Sequence, residues 1–131
     1  MSAAPKTRPK YYDLNLAHLP PPGLVSILHR ISGAALFFPL LPIALYILHT
    51  TLASEDGYAR WATLFHRPGV KLIVILAAWG YAHHFFAGLR YLLLDLHIGI
   101  EKVPARTSAV IVLVLGFLSA VFVAWYMWSI Q

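Results

Sequence analysis

The sequence contains no cysteine, and only 11% of its 131 residues are charged. The lack of cysteine excludes disulfides, iron–sulfur clusters and thiol chemistry on this chain. Charged residues make up about 25% of an average soluble domain, so this chain is depleted in them. Hydrophobic types reach 60%. A soluble fold of this size cannot hide so much apolar surface, so part of the chain must lie in lipid. The seven histidines are then the candidates to ligate a redox centre.

The net charge of +5 does not indicate a nucleic-acid partner, because the basic residues are scattered among apolar runs. In a membrane protein they report the orientation of loops instead. The polar residues 1–10 are not followed by a short apolar core and a small-residue cleavage site, so they are not interpreted as a secretory signal peptide. We expect the membrane segments to act as the targeting information, in a bacterial inner membrane.

Three apolar stretches are long enough to cross a bilayer as α-helices. Each exceeds the ~20 residues that cross a ~30 Å hydrocarbon layer. They run over about residues 24–52, 70–96 and 108–130. The sequence therefore predicts an all-α integral membrane protein, with an arm over residues 1–23 and a three-helix transmembrane domain over residues 24–131.

Local signals refine these helices. Pro39 and Pro42 are expected to bend the first one, because proline removes a backbone donor from the helix interior. The Ser-Glu-Asp-Gly stretch at residues 54–57 predicts a turn between the first two spans. Thr107 and Ser108 are predicted to cap the third helix.

Lysines and arginines in the short flanks predict the orientation. Five lie in the arm and the second loop, namely Lys6, Arg8, Lys10, Lys102 and Arg106. The first loop has three and the C-terminal end none; the three are Arg60, Arg67 and Lys71. Because the more basic flanks stay in the cytoplasm, the N-terminus is predicted to be cytoplasmic and the C-terminus periplasmic.

The second span carries one stripe of functional residue types. His84, Gly88, Tyr91 and Asp95 follow the i, i+4, i+7, i+11 spacing of a single helical face. An imidazole can bind iron, and a glycine one turn away leaves room for the edge of a flat macrocycle. At 1.5 Å per residue, His84 lies about 21 Å from the outer start of its helix. A histidine at that depth indicates a cofactor or an interhelical contact.

Two arginines lie at matching depths. Arg30 and Arg90 are each about 9 Å from the inner end of their helix. Haem has two propionates, which guanidinium groups bind well, so the pattern predicts haem b with His84 as iron ligand. The alternatives are an interhelical hydrogen bond for His84, snorkelling of both arginines to headgroups, and an ion pair between Asp95 and an arginine. His83 points about 100° away and is interpreted as structural.

Two motifs in these spans resemble a known family. Residues 26–33 (Ser-Ile-Leu-His-Arg-Ile-Ser-Gly), preceded by Arg8 and Pro9, resemble a signature of the larger cytochrome b membrane-anchor subunit of succinate dehydrogenase, respiratory complex II. Residues 84–90 (His-Phe-Phe-Ala-Gly-Leu-Arg), continued to Asp95, resemble the second signature of that family. The resemblance covers the whole chain. The sequence departs from the family's usual pattern at Tyr91, Leu94 and Lys10.

The resemblance implies roles for four residues. His84 would be an axial ligand of haem b, shared with a second anchor subunit. His29 and Arg30 would lie beside a haem propionate. Ser26 would join Arg30 at a ubiquinone site.

Depth and position suggest roles for two more residues. Arg90 is predicted to bind a propionate, and Asp95 to orient Arg30 or to relay protons to the quinone. The family further implies partner subunits: a flavoprotein with FAD that oxidises succinate, an iron–sulfur subunit and a smaller second anchor. No succinate chemistry is expected on this chain.

Other functions remain open at this stage. A quinol-oxidising anchor of a fumarate reductase uses the same chemistry. A di-haem form needs four well-buried histidines. This chain offers two, His83 and His84, so a single haem is expected. A transporter needs an acidic residue near the midplane, whereas Asp95 lies near an end. A haem-free structural anchor leaves Arg30 and His84 without a role.

Overall fold

The structure, a computed structural model, describes residues 19–129, and all regular structure in that range is helical. Three helices are long and apolar enough to cross a membrane, which confirms the predicted all-α fold with three spans. A shorter helix joins the first two of them. In chain order the helices are α1 (Pro21–Ala53), α2 (Glu55–Phe65), α3 (Pro68–Asp95) and α4 (Lys102–Ser129). Most of the predicted N-terminal arm, residues 1–18, lies outside the described range.

All three spans begin earlier than the hydropathy pattern predicts. α1 begins at Pro21 rather than near residue 24, α3 at Pro68 rather than near residue 70, and α4 at Lys102 rather than near residue 108. Proline is well tolerated in the first turn of a helix, because the N–H that it lacks would have no partner there, and Pro104 occupies this position in α4. The predicted cap at Thr107 or Ser108 is therefore wrong, since both residues lie inside the helix.

The distortion predicted in α1 takes the form of a π-helical turn. Residues Leu36–Leu40 form this turn, and the Leu41 N–H donates to the Leu36 carbonyl, five residues back. Pro39, inside the turn, has no N–H for the regular α-helical bond. Beyond the turn, the outer part of α1 packs mainly against α2 rather than against α3 and α4.

α2 was not predicted, because the turn signal before it is in fact a helix start. Ser54 caps the helix, and its Oγ accepts the Gly57 N–H at 3.0 Å. The indole of Trp61 donates to Thr50 Oγ1 at 2.8 Å and ties α2 to α1. A Cβ at Gly57 would collide with the Thr50 carbonyl oxygen. Glycine at this position therefore allows the close approach of the two helices.

Among the apolar residues, the bundle of α1, α3 and α4 buries small side chains and exposes large ones. Small side chains let membrane helices approach each other closely. The buried apolar residues are Val25, Ala87, Ala109, Val112 and Gly116. By contrast, Phe38 is 73% exposed and Leu52 is 77% exposed. This inside-out pattern requires lipid or another apolar helix around the chain.

Candidate functional site

His84 is held against α1 by one of its two ring nitrogens. Its Nδ1 lies 3.1 Å from the carbonyl oxygen of His29. A carbonyl only accepts, so Nδ1 carries the proton and Nε2 holds the free lone pair. Within residues 19–129, Nε2 has no hydrogen-bond partner. Metal-binding histidines are typically oriented in this way, by donation from the other ring nitrogen to a carbonyl or carboxylate.

Ser32 supports the same arrangement. Its Oγ donates to the His29 carbonyl at 3.1 Å and lies 3.4 Å from Nδ1 of His84. Ser32 is itself buried. No role was predicted for this serine, although it belongs to the first motif.

Gly33 makes the approach of His84 possible. A Cβ at this position would lie 2.8 Å from Cε1 and 3.2 Å from Nδ1 of His84. Both distances are shorter than non-bonded atoms normally allow. The first motif contains this glycine, but only the packing of α1 on α3 shows which side chain needs the space.

The His29 ring lies between two aromatic rings of α3. It stacks on His84 with a centroid distance of 4.2 Å and an interplanar angle of 9°, and the Tyr91 ring lies 5.1 Å away on a tilt of 47°. His29 Nε2 is 3.8 Å from the place that a Cβ of Gly88 would occupy. The space beside Gly88, predicted to receive a macrocycle edge, therefore holds the His29 imidazole. The structure does bring His29 and His84 together.

His83 has a different environment from His84. It is fully buried, and neither ring nitrogen has a hydrogen-bond partner in the described part of the chain. Its ring stacks on Trp79 at 5.6 Å, and its Cβ would be 3.5 Å from a Cβ at Gly116 of α4. His84, in contrast, is partly exposed. Of these two neighbours, only His84 can present a ring nitrogen to a group outside the bundle.

The predicted quinone residues are all at least partly exposed on the surface of the chain. Ser26 is partly exposed, and Arg30 and Asp95 are exposed. Across residues 19–129, no hydrogen bond or ion pair joins any two of them. By helix rise, Arg30 lies about 14 Å from the start of α1. An exposed guanidinium at that depth requires water, a headgroup or a partner subunit beside it.

Arg90 faces α4 instead of the His84 side of α3. Its Nε donates to Ser108 Oγ at 3.0 Å, and its Nη2 donates to the Ala105 carbonyl at 3.1 Å. Arg90 and His84 are six residues apart, which places them about 120° apart around the helix. Contact between Arg90 and a propionate stays a prediction and requires another orientation of this side chain. The partner Ser108 was missed because the start of α4 was placed too late.

The comparisons with known proteins extend over almost the whole chain. Residues 4–123 match the family described as succinate dehydrogenase/fumarate reductase transmembrane subunit. The succinate dehydrogenase cytochrome b556 subunit of Coxiella burnetii (strain RSA 493 / Nine Mile phase I) is 39% identical over 123 residues, which cover 92% of this chain and 97% of that protein. The similarity is thus not confined to the two motifs. The chain belongs to the succinate dehydrogenase/fumarate reductase transmembrane subunit family.

Proposed function

We propose that this chain is the cytochrome b anchor of a succinate:quinone oxidoreductase. In this function it holds haem b together with a second anchor subunit and forms part of a ubiquinone-reduction site. The observation that carries the proposal is the His84 imidazole, whose Nδ1–H is bound to the His29 carbonyl while Nε2 is free. The name of the relative, a cytochrome b556 subunit, supports a b-type haem. FAD and the iron–sulfur clusters belong to the soluble partners.

The donor set of the chain fits one side of a b-type haem. His84 Nε2 would hold the haem iron from this chain, and the second anchor subunit would supply the other protein ligand. His29 and Arg30 offer an N–H donor and a permanent cation for a propionate. When bound, haem b takes up and releases single electrons. The carbonyl of His29 and the bare backbone of Gly33 keep the His84 ring in its orientation.

The quinone chemistry needs donors for two carbonyl oxygens and a supply of protons. Ser26 provides a hydroxyl and Arg30 a guanidinium on the same face of α1, four residues apart. Donors fixed beside an oxygen stabilise the negative charge that develops during reduction. Asp95 is exposed at the end of α3, and in this proposal it relays protons between the quinone and the cytoplasm.

The quinol-oxidising anchor of a fumarate reductase is the second candidate. The shared family description includes both enzymes, whereas the named relative belongs to a succinate dehydrogenase. Two rates measured on one purified complex separate them: quinone reduction by succinate and fumarate reduction by quinol. We expect the first to be the faster, and a faster second reaction would favour the fumarate reductase.

Replacing Gly33 by alanine tests how the His84 ring is held. The new Cβ would sit 2.8 Å from His84 Cε1, so the ring must leave the His29 carbonyl or the helices must separate. Overpacking of this kind costs about 1–3 kcal/mol. We expect a lower haem content or a shifted haem midpoint potential in the purified complex. Gly80→Ala in α3 is the matched control, because no atom lies within 4 Å of its added Cβ. Equal haem properties in both variants would contradict this role.

Reporter fusions test the orientation. We propose that the chain lies in a bacterial inner membrane with its N-terminus in the cytoplasm. Alkaline phosphatase fused after Gln131 should then be active, because it reaches the periplasm, and the same reporter inserted after Gly99, between α3 and α4, should be inactive. The reverse pattern would place the N-terminus in the periplasm and overturn the proposed orientation.

A further inference from the structure

We propose that an anionic phospholipid of the inner leaflet binds between α3 and α4, with its phosphodiester on Arg90. The two helices border a groove of about 390 Å³ on the cytoplasmic half of the chain. Its walls are mostly apolar, and Arg90 and Ser108 lie among them. The apolar walls include Phe86, Leu93, Ile111 and Leu115. This site goes beyond the proposed haem and quinone chemistry.

Arg90 is a buried cation with no carboxylate beside it in residues 19–129, which indicates that it binds an anion from outside the chain. The side chain is only 6% exposed. Two of its N–H groups donate to Ser108 and to the Ala105 carbonyl, while a guanidinium has five in total. Within residues 19–129, no carboxylate lies within 4.0 Å of it. A buried cation in a membrane is costly unless it is paired.

The depth of Arg90 and Ser108 in the bilayer matches the level of the lipid phosphates. α3 and α4 each have 28 residues, which gives a length of about 42 Å and leaves about 6 Å beyond the hydrocarbon layer at either end. Arg90 lies about 8 Å from the inner end of α3, and Ser108 about 9 Å from the start of α4. Both therefore lie close to the inner hydrocarbon boundary, where headgroup and acyl chain meet.

The shape and the surroundings of the groove favour a phospholipid over a free anion. From Arg90 the apolar walls continue towards Phe86 and Leu115, which is the direction that an acyl chain takes into the bilayer. Lys102 and Arg106 are exposed on the first two turns of α4, and such cations attract anionic headgroups at the cytoplasmic surface. A guanidinium also pairs with phosphate through two parallel hydrogen bonds, which a neutral quinone oxygen cannot match.

The groove lies on the opposite side of α3 from the haem ligand. Phe86 and Leu93 are about 160–200° around the helix from His84. A partner subunit that shares a haem through His84 therefore approaches another face and leaves this groove open to lipid. The lipid site does not depend on the assignment of His84.

The test uses the purified, delipidated complex that contains the full chain. Phosphatidylglycerol, phosphatidylcholine or inorganic phosphate is added, and bound lipid is counted by mass spectrometry while the Tm is recorded. We expect the wild type to bind one phosphatidylglycerol per copy of the chain. Its Tm should rise with phosphatidylglycerol and not with phosphatidylcholine or inorganic phosphate. Arg90→Gln should lose most of both effects. Ile111→Trp, which fills the groove between α3 and α4, should lose them as well.

Two control variants separate the site from general effects. Arg60→Gln removes an exposed cation of α2 that does not line the groove, and Val110→Trp adds the same bulk outside the groove, so both should keep the retained lipid. An equal response to phosphatidylcholine, or full lipid retention in Ile111→Trp, would overturn the proposal. A response to inorganic phosphate alone would assign the site to a free anion. Unchanged lipid binding with a shifted haem midpoint potential in Arg90→Gln would return this arginine to a propionate.

Discussion

His84→Leu in the assembled complex is expected to remove the bis-histidine haem b signal. Leucine fills a similar volume but has no lone pair for iron, so one axial ligand is lost. The change is largest in the low-temperature reduced spectrum and in the low-spin electron paramagnetic resonance signal of the oxidised complex. Any haem that remains should be high-spin or ligated by a different group.

His83→Leu is the matched control for this variant. His83 is the same residue type, one position away, but it is buried against Trp79 and Gly116 and has no route to a group outside the bundle. The variant should keep bis-histidine ligation. An unchanged haem spectrum in His84→Leu, or its loss in His83→Leu alone, would overturn the ligand assignment.

Ser26→Ala and Arg30→Leu are expected to depress succinate-dependent quinone reduction. Loss of one fixed donor to a developing oxyanion typically costs on the order of 100-fold in rate, and we expect Arg30→Leu to approach this value. Oxidation of succinate with a soluble artificial acceptor should stay near normal, because that acceptor takes its electrons from the soluble subunits.

Two further variants control for general damage to the membrane domain. Ser119→Ala removes a serine of α4 whose hydroxyl donates to the Leu115 carbonyl of the same helix, and Arg60→Leu removes an exposed arginine of α2. Both should retain quinone reduction. If Arg30 only holds a propionate, the haem midpoint potential of Arg30→Leu shifts while quinone turnover survives. Normal quinone kinetics in both Ser26→Ala and Arg30→Leu would move the site away from α1.

The fold was largely predictable because lipid imposes a simple rule on sequence. A span must be apolar over its full length and satisfy its backbone internally, so three apolar runs predict three helices. The rule fails where a helix extends beyond the lipid. The first turns of α4 are charged, so its start at Lys102 was not predicted from hydropathy. The start of α2, a short amphipathic helix, was interpreted as a turn at residues 54–57.

The candidate site was predictable in its residue types but not in its contacts. The motifs identified His84, Gly33 and His29, yet a helical repeat fixes only the face on which a residue lies. It does not specify which neighbour fills the space beside a glycine. The structure puts the His84 ring against Gly33 and the His29 ring against Gly88. Such pairings depend on the relative height and rotation of α1 and α3, which sequence periodicity does not encode.

Arg90 shows that position along a helix does not predict the direction of a side chain. Arg30 and Arg90 lie at equal depth, which suggested that both bind the same ligand. The direction of a long side chain is set by the neighbouring helix, and here Ser108 and the Ala105 carbonyl attract the guanidinium to α4. Depth alone therefore grouped an exposed arginine of α1 with a buried arginine of α3 that faces α4.

An optical difference spectrum of the complex, isolated through a tag on this chain, tests the central claim most directly. The claim is that the chain anchors a succinate:quinone oxidoreductase and holds a b-type haem through His84. We predict that flavoprotein and iron–sulfur subunits are isolated together with the chain and that a reduced b-type band appears when dithionite is added. We further predict that added succinate reduces part of the same band. A complex that oxidises succinate but shows no b-type band under either condition would contradict the account.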